Sequence, residues 1–167
     1  MEVGISLGSN LGDRLANLRN ARQRVAAIAG VRVLASSPIY ETDPVDVPAQ
    51  FADEPFLNAV IIVNCSVDVR TLHKELAAIE SDMGRRRGPE RNAPRPIDID
   101  ILYAGTERLK SASLTIPHPR WAERRFVVQP LAAVRPDLKL PGESCTVQQV
   151  LAALPERPAA VILTRDW

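Results

Sequence analysis

The run Arg95-Pro96-Ile97-Asp98-Ile99-Asp100-Ile101-Leu102-Tyr103 sets the terms for any fold that this chain adopts. Its β-branched and apolar character belongs to a strand interior, yet it carries two carboxylates at alternate positions. Side chains alternate across a strand, so Asp98 and Asp100 are expected on one face and Ile97, Ile99, Ile101 and Tyr103 on the other. Two like charges a few ångströms apart raise each other's pKa unless a cation lies between them. Mg²⁺ suits such a place, because it takes one or two carboxylates and completes its shell with water and phosphate oxygens. Arginines at 85, 86, 87, 91 and 95 lie just upstream, where they can hold phosphates. The competing reading is a solvated polar face, on which Asp-x-Asp is ordinary alternation. The apolar residues continuing through Ile101 and Leu102 favour a buried strand, and a buried carboxylate pair needs compensation.

The rest of the chain supplies the partners of that strand. Val3, Ile5 and Leu7 alternate with Gly4, Ser6 and Gly8, which predicts a first strand. Asp13 is placed to cap a helix carrying Leu15, Leu18, Arg22, Val25 and Ile28, and Gly30 stops it. Val31 to Tyr40 reads as a second strand, and the proline-rich stretch from Thr42 to Gln50 as irregular. Leu57 to Cys65 is a third strand. Asp68 then caps a helix whose Val69, Leu72, Leu76, Ile79 and Met83 share one face, with Gly84 ending it, and Ile97 to Tyr103 is the fourth strand. The order βαββαβ is the ferredoxin-like arrangement, an α+β fold with an antiparallel sheet and both of these helices on one side. A short helix around Arg120 to Val127, a helix near Val147 to Leu154 and a strand at Val161 to Leu163 are expected to cover the other face, making three layers, α/β/α. The whole chain, 1–167, is expected to be a single domain.

Bulk properties narrow the function. With 21 basic against 20 acidic residues the chain lacks the basic excess of a general nucleic-acid or membrane-surface binder. Its two cysteines, Cys65 and Cys145, are far apart and suggest neither a disulfide framework nor a zinc site. The N-terminus has no basic stretch followed by a long apolar one, so a soluble cytoplasmic protein is expected.

Several segments together resemble one family. Arg91-x-x-Pro94-Arg95-x-x-Asp98-Ile99-Asp100-Ile101-Leu102 is similar to the signature of 6-hydroxymethyl-7,8-dihydropterin pyrophosphokinases of the folate pathway. Gly8-Ser9-Asn10-Leu11-Gly12, Tyr40-Glu41-Thr42-x-Pro44, Phe56-Leu57-Asn58-Ala59, Ile79-Glu80 with Gly84-Arg85-x-Arg87, and Ile116-Pro117-His118-Pro119 with Arg124-x-Phe126 agree in order and spacing. The likeness runs over nearly the whole chain.

The resemblance implies transfer of pyrophosphate from ATP to the hydroxymethyl group of a reduced pterin, releasing AMP, with two Mg²⁺ ions on Asp98 and Asp100. It implies that Arg85, Arg87 and Arg95 assist the transfer, and that Glu80, Arg85, Arg87, Arg95, Ile101, Thr115, His118 and Arg124 contact ATP. For the pterin it implies Thr42, Pro44 and Val45, the rings of Phe56 and Phe126, and Asn58, whose amide carries both donor and acceptor. No nucleic-acid or membrane partner is expected, and a monomer is. Read from the residues alone, alternatives stand beside these roles. The arginine run also complements a helix C-terminus, either phenylalanine also suits a core, and Glu80 also suits a surface acid paired with an arginine.

The chain departs from the common family pattern at Arg91-Asn92-Ala93-Pro94-Arg95, where many members have Arg-Trp-Gly-Pro-Arg. Asp43 stands where proline is frequent, Ser113 where some members carry a nucleotide-contacting arginine, and Pro119 where some carry an aromatic. Two rival functions follow from the same residues: a different metal-dependent phosphotransferase or nucleotide hydrolase, and a silent ligand-binding module. The absence of a Gly-x-x-x-x-Gly-Lys-Ser/Thr loop disfavours Walker-type hydrolysis, and the paired aspartates disfavour the silent module.

Overall fold

A computed structural model describes residues 1–43, 55–85 and 94–167. The expected contacts Pro44, Val45 and Arg87, and the substituted position Asn92, lie outside the described residues.

The strands are β1 (Glu2–Ser9), β2 (Val31–Ser36), β3 (Ile39–Thr42), β4 (Phe56–Cys65) and β5 (Asp98–Ala104), with β8 (Ala160–Thr164) late in the chain and a small ribbon of β6 (Leu109–Lys110) and β7 (Thr115–Ile116). The six-stranded sheet runs β5-β1-β4-β3-β8, with β2 also on β4, and every pairing is antiparallel. That is the ferredoxin-like order extended by one edge strand. Helices α1 (Arg14–Ala26) and α2 (Val69–Asp82) begin where their aspartates suggest. Asp13 accepts from the Ala16 amide, and Asp68 from those of Arg70 and Thr71. Both pack on one face, Leu18, Val25, Leu72 and Leu76 closing over Val3, Ile5, Leu7 and Ile61. On the other face Val60, Ile62 and Leu102 meet α3 (Arg125–Val134) and α4 (Val147–Ala153) through Val128, Leu131 and Val147. Cover on both faces explains why β4 is apolar almost throughout. None of the described helices is long and apolar enough to cross a membrane.

Four expectations need correction. The strand expected over Val31 to Tyr40 is two strands, because Pro38 offers no ladder N–H; Ser37 fills the gap, its amide bonding the Val60 carbonyl at 2.8 Å and its hydroxyl accepting from the Val60 amide at 2.9 Å. The helix expected over Arg120 to Val127 is a 3-10 turn at Trp121–Glu123 followed by α3, which continues through Pro130 to Val134 because Val128, Leu131 and Ala132 are buried. The last strand does not cover a face; β8 extends the sheet beside β3. Tyr103 does not point with Ile97, Ile99 and Ile101. The β1–β5 register shifts between Gly4 and Ile5, and a residue gained in β5 turns Tyr103 to the α3 side, where its hydroxyl donates to Glu2 at 2.7 Å. Gly4 makes this possible, since a Cβ there would lie 2.3 Å from the Tyr103 ring.

Candidate active site

The site lies on the α3 side of the sheet, at the end where β1 finishes and β4 and β5 begin. Three strands present one residue each in a row: Asn58 on β4 pairs with Gly8 on β1, and Gly8 pairs with Asp98 on β5. Ser6 and Asp100 form the next row. The small residues of β1 leave a floor between the amide and the carboxylates. Adjacent strands stand roughly 4.8 Å apart, so the polar groups on β4 and β5 face each other across about 10 Å. A cavity of about 210 Å³ opens there, lined by Asn58, Phe56, Phe126, Arg95, Asp98 and Asp100 among others.

Each wall has a local cause. Asn58, only 3% exposed, donates its side-chain amide to the Thr42 hydroxyl at 2.7 Å, which fixes the amide and leaves its oxygen beside Gly8. Phe56 opens β4 and Phe126 lies in the first turn of α3, both half-buried and both on the cavity wall. The Arg124 guanidinium stands 5.7 Å from the Phe126 ring centroid. Arg95 is held through its backbone. The Asn10 amide oxygen accepts from the Arg95 N–H at 2.9 Å, and the Asn10 N–H reaches the Arg95 carbonyl at 3.3 Å. Its guanidinium Nε is buried without a hydrogen-bond partner, 3.6 Å from Asp98 Oδ2. A buried unpaired donor of this kind is unfavourable until an acceptor arrives.

A second cavity, of about 260 Å³, lies outside β5 and is lined by Ile101, Thr115, His118 and Ser113, with His73 from α2. Among the described residues, Asp100 is the one that lines both cavities. His118 Nδ1 accepts from the Arg120 amide at 3.1 Å, which leaves Nε2 to carry the proton of the neutral ring. Burial, and then the Arg124 charge, lower its pKa and keep it neutral.

The carboxylates are unequal. Asp98 is 24% exposed and covered by arginines: Arg85 Nη1 bonds Oδ1 at 2.6 Å. Burial pushes the Asp100 carboxyl up to about 7, with the Asp98 and Glu80 charges adding to the effect and Arg85 and Arg124 opposing it. The arginine charges do not offset burial at Asp100, and two oxygen donors on one strand face suit a hard divalent cation. Among the described residues no third acidic, His or Cys side chain joins them as a metal cage, so the remaining positions of such an ion would fall to water and phosphate.

Glu80 lines neither cavity. It is 6% exposed on α2, pairs with Arg85, and accepts from the Ile99 N–H at 2.6 Å. It thereby satisfies an outward amide of edge strand β5 between the two aspartates. The site thus gathers Thr42, Phe56, Asn58, Arg95, Asp98, Asp100, Arg124 and Phe126 around one cavity and Ile101, Thr115 and His118 around the other. Sequence reasoning missed the Asn10 latch, the Gly8 and Ser6 floor, and the wall contributed by Leu154, Pro155 and Pro158. The alternation of small residues in β1 was the available signal for the floor.

A sequence model of the 7,8-dihydro-6-hydroxymethylpterin-pyrophosphokinase (HPPK) family matches residues 4–136. The chain belongs to the HPPK family. It is 39% identical over 150 residues to the 2-amino-4-hydroxy-6-hydroxymethyldihydropteridine pyrophosphokinase of Methylorubrum extorquens, covering 90% of this chain and 91% of that one. It is 42% identical over 140 residues to the folic acid synthesis protein fol1 of Pneumocystis carinii; the match covers 83% of this chain but only 18% of the much longer fungal protein. The crystal structure of wild-type HPPK-DHPS from Plasmodium falciparum with pteroate superposes over 90% of this chain and 42% of its own, with a TM-score of 0.68 at 15% identity, which shows a shared HPPK fold.

Proposed function

We propose that this chain transfers the β,γ-pyrophosphoryl group of ATP to the hydroxymethyl oxygen of 6-hydroxymethyl-7,8-dihydropterin, giving AMP and the pterin diphosphate for folate synthesis. The observation that carries the reading is Asp100, shared by an aromatic, amide-bearing cavity and a second cavity holding a neutral histidine. A reaction between two ligands needs such a junction. In this reading the pterin lies between Phe56 and Phe126 with its polar edge on Asn58, and the nucleoside sits against Ile101 and Thr115. The triphosphate then crosses β5 at Asp98 and Asp100.

Phosphoryl transfer asks a protein chiefly for position and charge. Asp98 and Asp100 would hold two Mg²⁺ ions, which supply charge neutralisation on the triphosphate and polarise the attacked phosphorus. Arg95 and Arg124 face the same cavity and would bind phosphate oxygens, while His118 would donate through Nε2 from the nucleotide side. Arg85 and Arg87 would add to the phosphate clamp. Thr42 holds Asn58 in the orientation that reads the pterin edge. In this reading the chain acts as a monomeric cytoplasmic enzyme on small molecules, and its near-zero net charge fits the lack of nucleic-acid or membrane partners.

Incubation with ATP, Mg²⁺ and 6-hydroxymethyl-7,8-dihydropterin should give AMP and pterin diphosphate in equal amounts, read by phosphorus NMR, and chelation of the metal should stop it. ADP among the products would instead assign a γ-phosphotransferase. Unchanged ATP with folded protein would assign a binding module.

A further inference from the structure

In the ligand-free chain the two oxygens of Asp98 already face cations. Arg85 Nη1 bonds Oδ1 at 2.6 Å, and Arg95 Nε stands 3.6 Å from Oδ2. The same Nη1 also pairs with Glu80, itself anchored on the Ile99 N–H at 2.6 Å and buried against β5. Mg²⁺ requires oxygen ligands at roughly 2.0–2.1 Å in near-octahedral geometry, and it cannot share Oδ1 with a guanidinium donating along the same lone pair. Arg85, Arg95 and Arg124 stand close to Glu80, Asp98 and Asp100 in one cluster, so arginine charge already faces the carboxylates. A bare dication therefore meets opposing arginine charge at either oxygen, and to use Oδ1 it must displace Arg85. A metal–triphosphate complex faces a different exchange, since phosphate oxygens accept the released guanidinium while the carboxylate takes the metal.

We infer that Arg85, positioned by Glu80, caps Asp98 in the free protein, so that divalent metal enters the site only together with nucleotide. The inference rests on the reading of Asp98 and Asp100 as metal carboxylates. Arg85 thus has two posts, one on Asp98 without nucleotide and one on phosphate with it. Glu80 is a positioning residue.

The test is Mn²⁺ binding to the full chain, read as free Mn²⁺ by electron paramagnetic resonance, without nucleotide and with a non-hydrolysable ATP analogue. Wild-type protein should bind Mn²⁺ weakly alone and tightly with the analogue. Losing a charge-assisted hydrogen bond to Asp98 should raise the nucleotide-free Mn²⁺ affinity of Arg85→Gln by roughly tenfold to a hundredfold, and Mn²⁺ binding in the presence of the analogue should weaken. Arg124→Gln removes the same charge from the cluster without uncapping Asp98, and its gain should be much smaller. Glu80→Gln, which subtracts a negative charge and on general electrostatics should weaken cation binding, should instead strengthen it by releasing Arg85. Adding Asp98→Asn to Arg85→Gln should abolish the gain. Equal gains in Arg85→Gln and Arg124→Gln, or no gain in Arg85→Gln and Glu80→Gln, would overturn the cap while leaving the metal assignment standing. Analogue-dependent Mn²⁺ binding unaffected by Asp98→Asn and Asp100→Asn would overturn the metal assignment itself.

Discussion

Replacing Asp100 by asparagine should stabilise the metal-free protein, and the gain should depend on pH in a way set by the site. Burial, with the carboxylates of Asp98 and Glu80 nearby, pushes the Asp100 carboxyl up to about 7 from its ordinary value of 3.8. The unfolded chain releases this proton near the ordinary value, so the folded state binds the extra proton in between. A group raised in the folded state contributes stability that is fully present below the unfolded pKa and is lost as pH rises through the folded one. Wild-type stability should therefore fall from about pH 4 to about pH 7 and level off above. The interval corresponds to at most about 4 kcal/mol at ~1.36 kcal/mol per pH unit. Asp100 is partly open to solvent, and discounting for screening leaves about 1–2 kcal/mol. Asparagine carries no charge to lose. In EDTA at pH 8, Asp100→Asn should melt roughly 2–8 °C above wild type, at ~2–4 °C per kcal/mol for a chain of this size. The difference should shrink steadily toward pH 4. Calorimetric melts across that range measure it, and turnover of the same variant should fall by at least about a hundredfold. Equal melting temperatures at pH 8, or a difference independent of pH, would show that Asp100 carries no electrostatic burden in the free protein.

Other consequences can be measured alongside. Phe56→Ala and Phe126→Ala should each weaken pterin binding by about 1–3 kcal/mol while nearly sparing ATP, as judged by calorimetric titration; equal losses for both ligands would make the rings core residues. Arg95→Ala should lower kcat more than ATP affinity, because its unpaired Nε awaits an acceptor; parallel losses in rapid-quench and binding measurements would place it in ground-state binding instead. Asp98→Asn should lose at least about a hundredfold in turnover with little change in pterin affinity, and near-normal turnover would refute its role as a metal ligand.

The parts of this fold that sequence exposed are those decided by local chemistry. Asp13 and Asp68 announce helix starts because a short acceptor before an apolar helical face satisfies amides that the helix cannot. Val3, Ile5 and Leu7 announce β1 because one face must meet the helices. What stayed hidden was decided by partners. No property of Tyr103 itself signals its turn to the other face; the space comes from Gly4 on the neighbouring strand. Glu80 illustrates a half-legible case. Pairing with an arginine was readable from Ile79-Glu80 and Gly84-Arg85, but its burial and its hold on the Ile99 amide depend on how α2 settles against β5. The extent of α3 was hidden for the same reason, since burial of Val128, Leu131 and Ala132 carries the helix through Pro130 to Val134.

The extra residue in β5 interrupts the ladder and separates two lengths of the strand with different anchors. Toward Asp98 the side-chain order obeys the chemistry of the cavity; toward Ala104 it obeys a different anchor, the contact of Tyr103 and Arg135 with Glu2, in which Arg135 Nη2 lies 2.8 Å from the carboxylate. A shift at the far end can be absorbed where the ladder is already broken, before it reaches the aspartates. The strand therefore works like a rail with an expansion joint. Drift in Glu2, Tyr103 and Arg135 should be tolerated by evolution as long as the three change together, whereas a one-residue insertion or deletion on the near side would turn both carboxylates into the helical core at once.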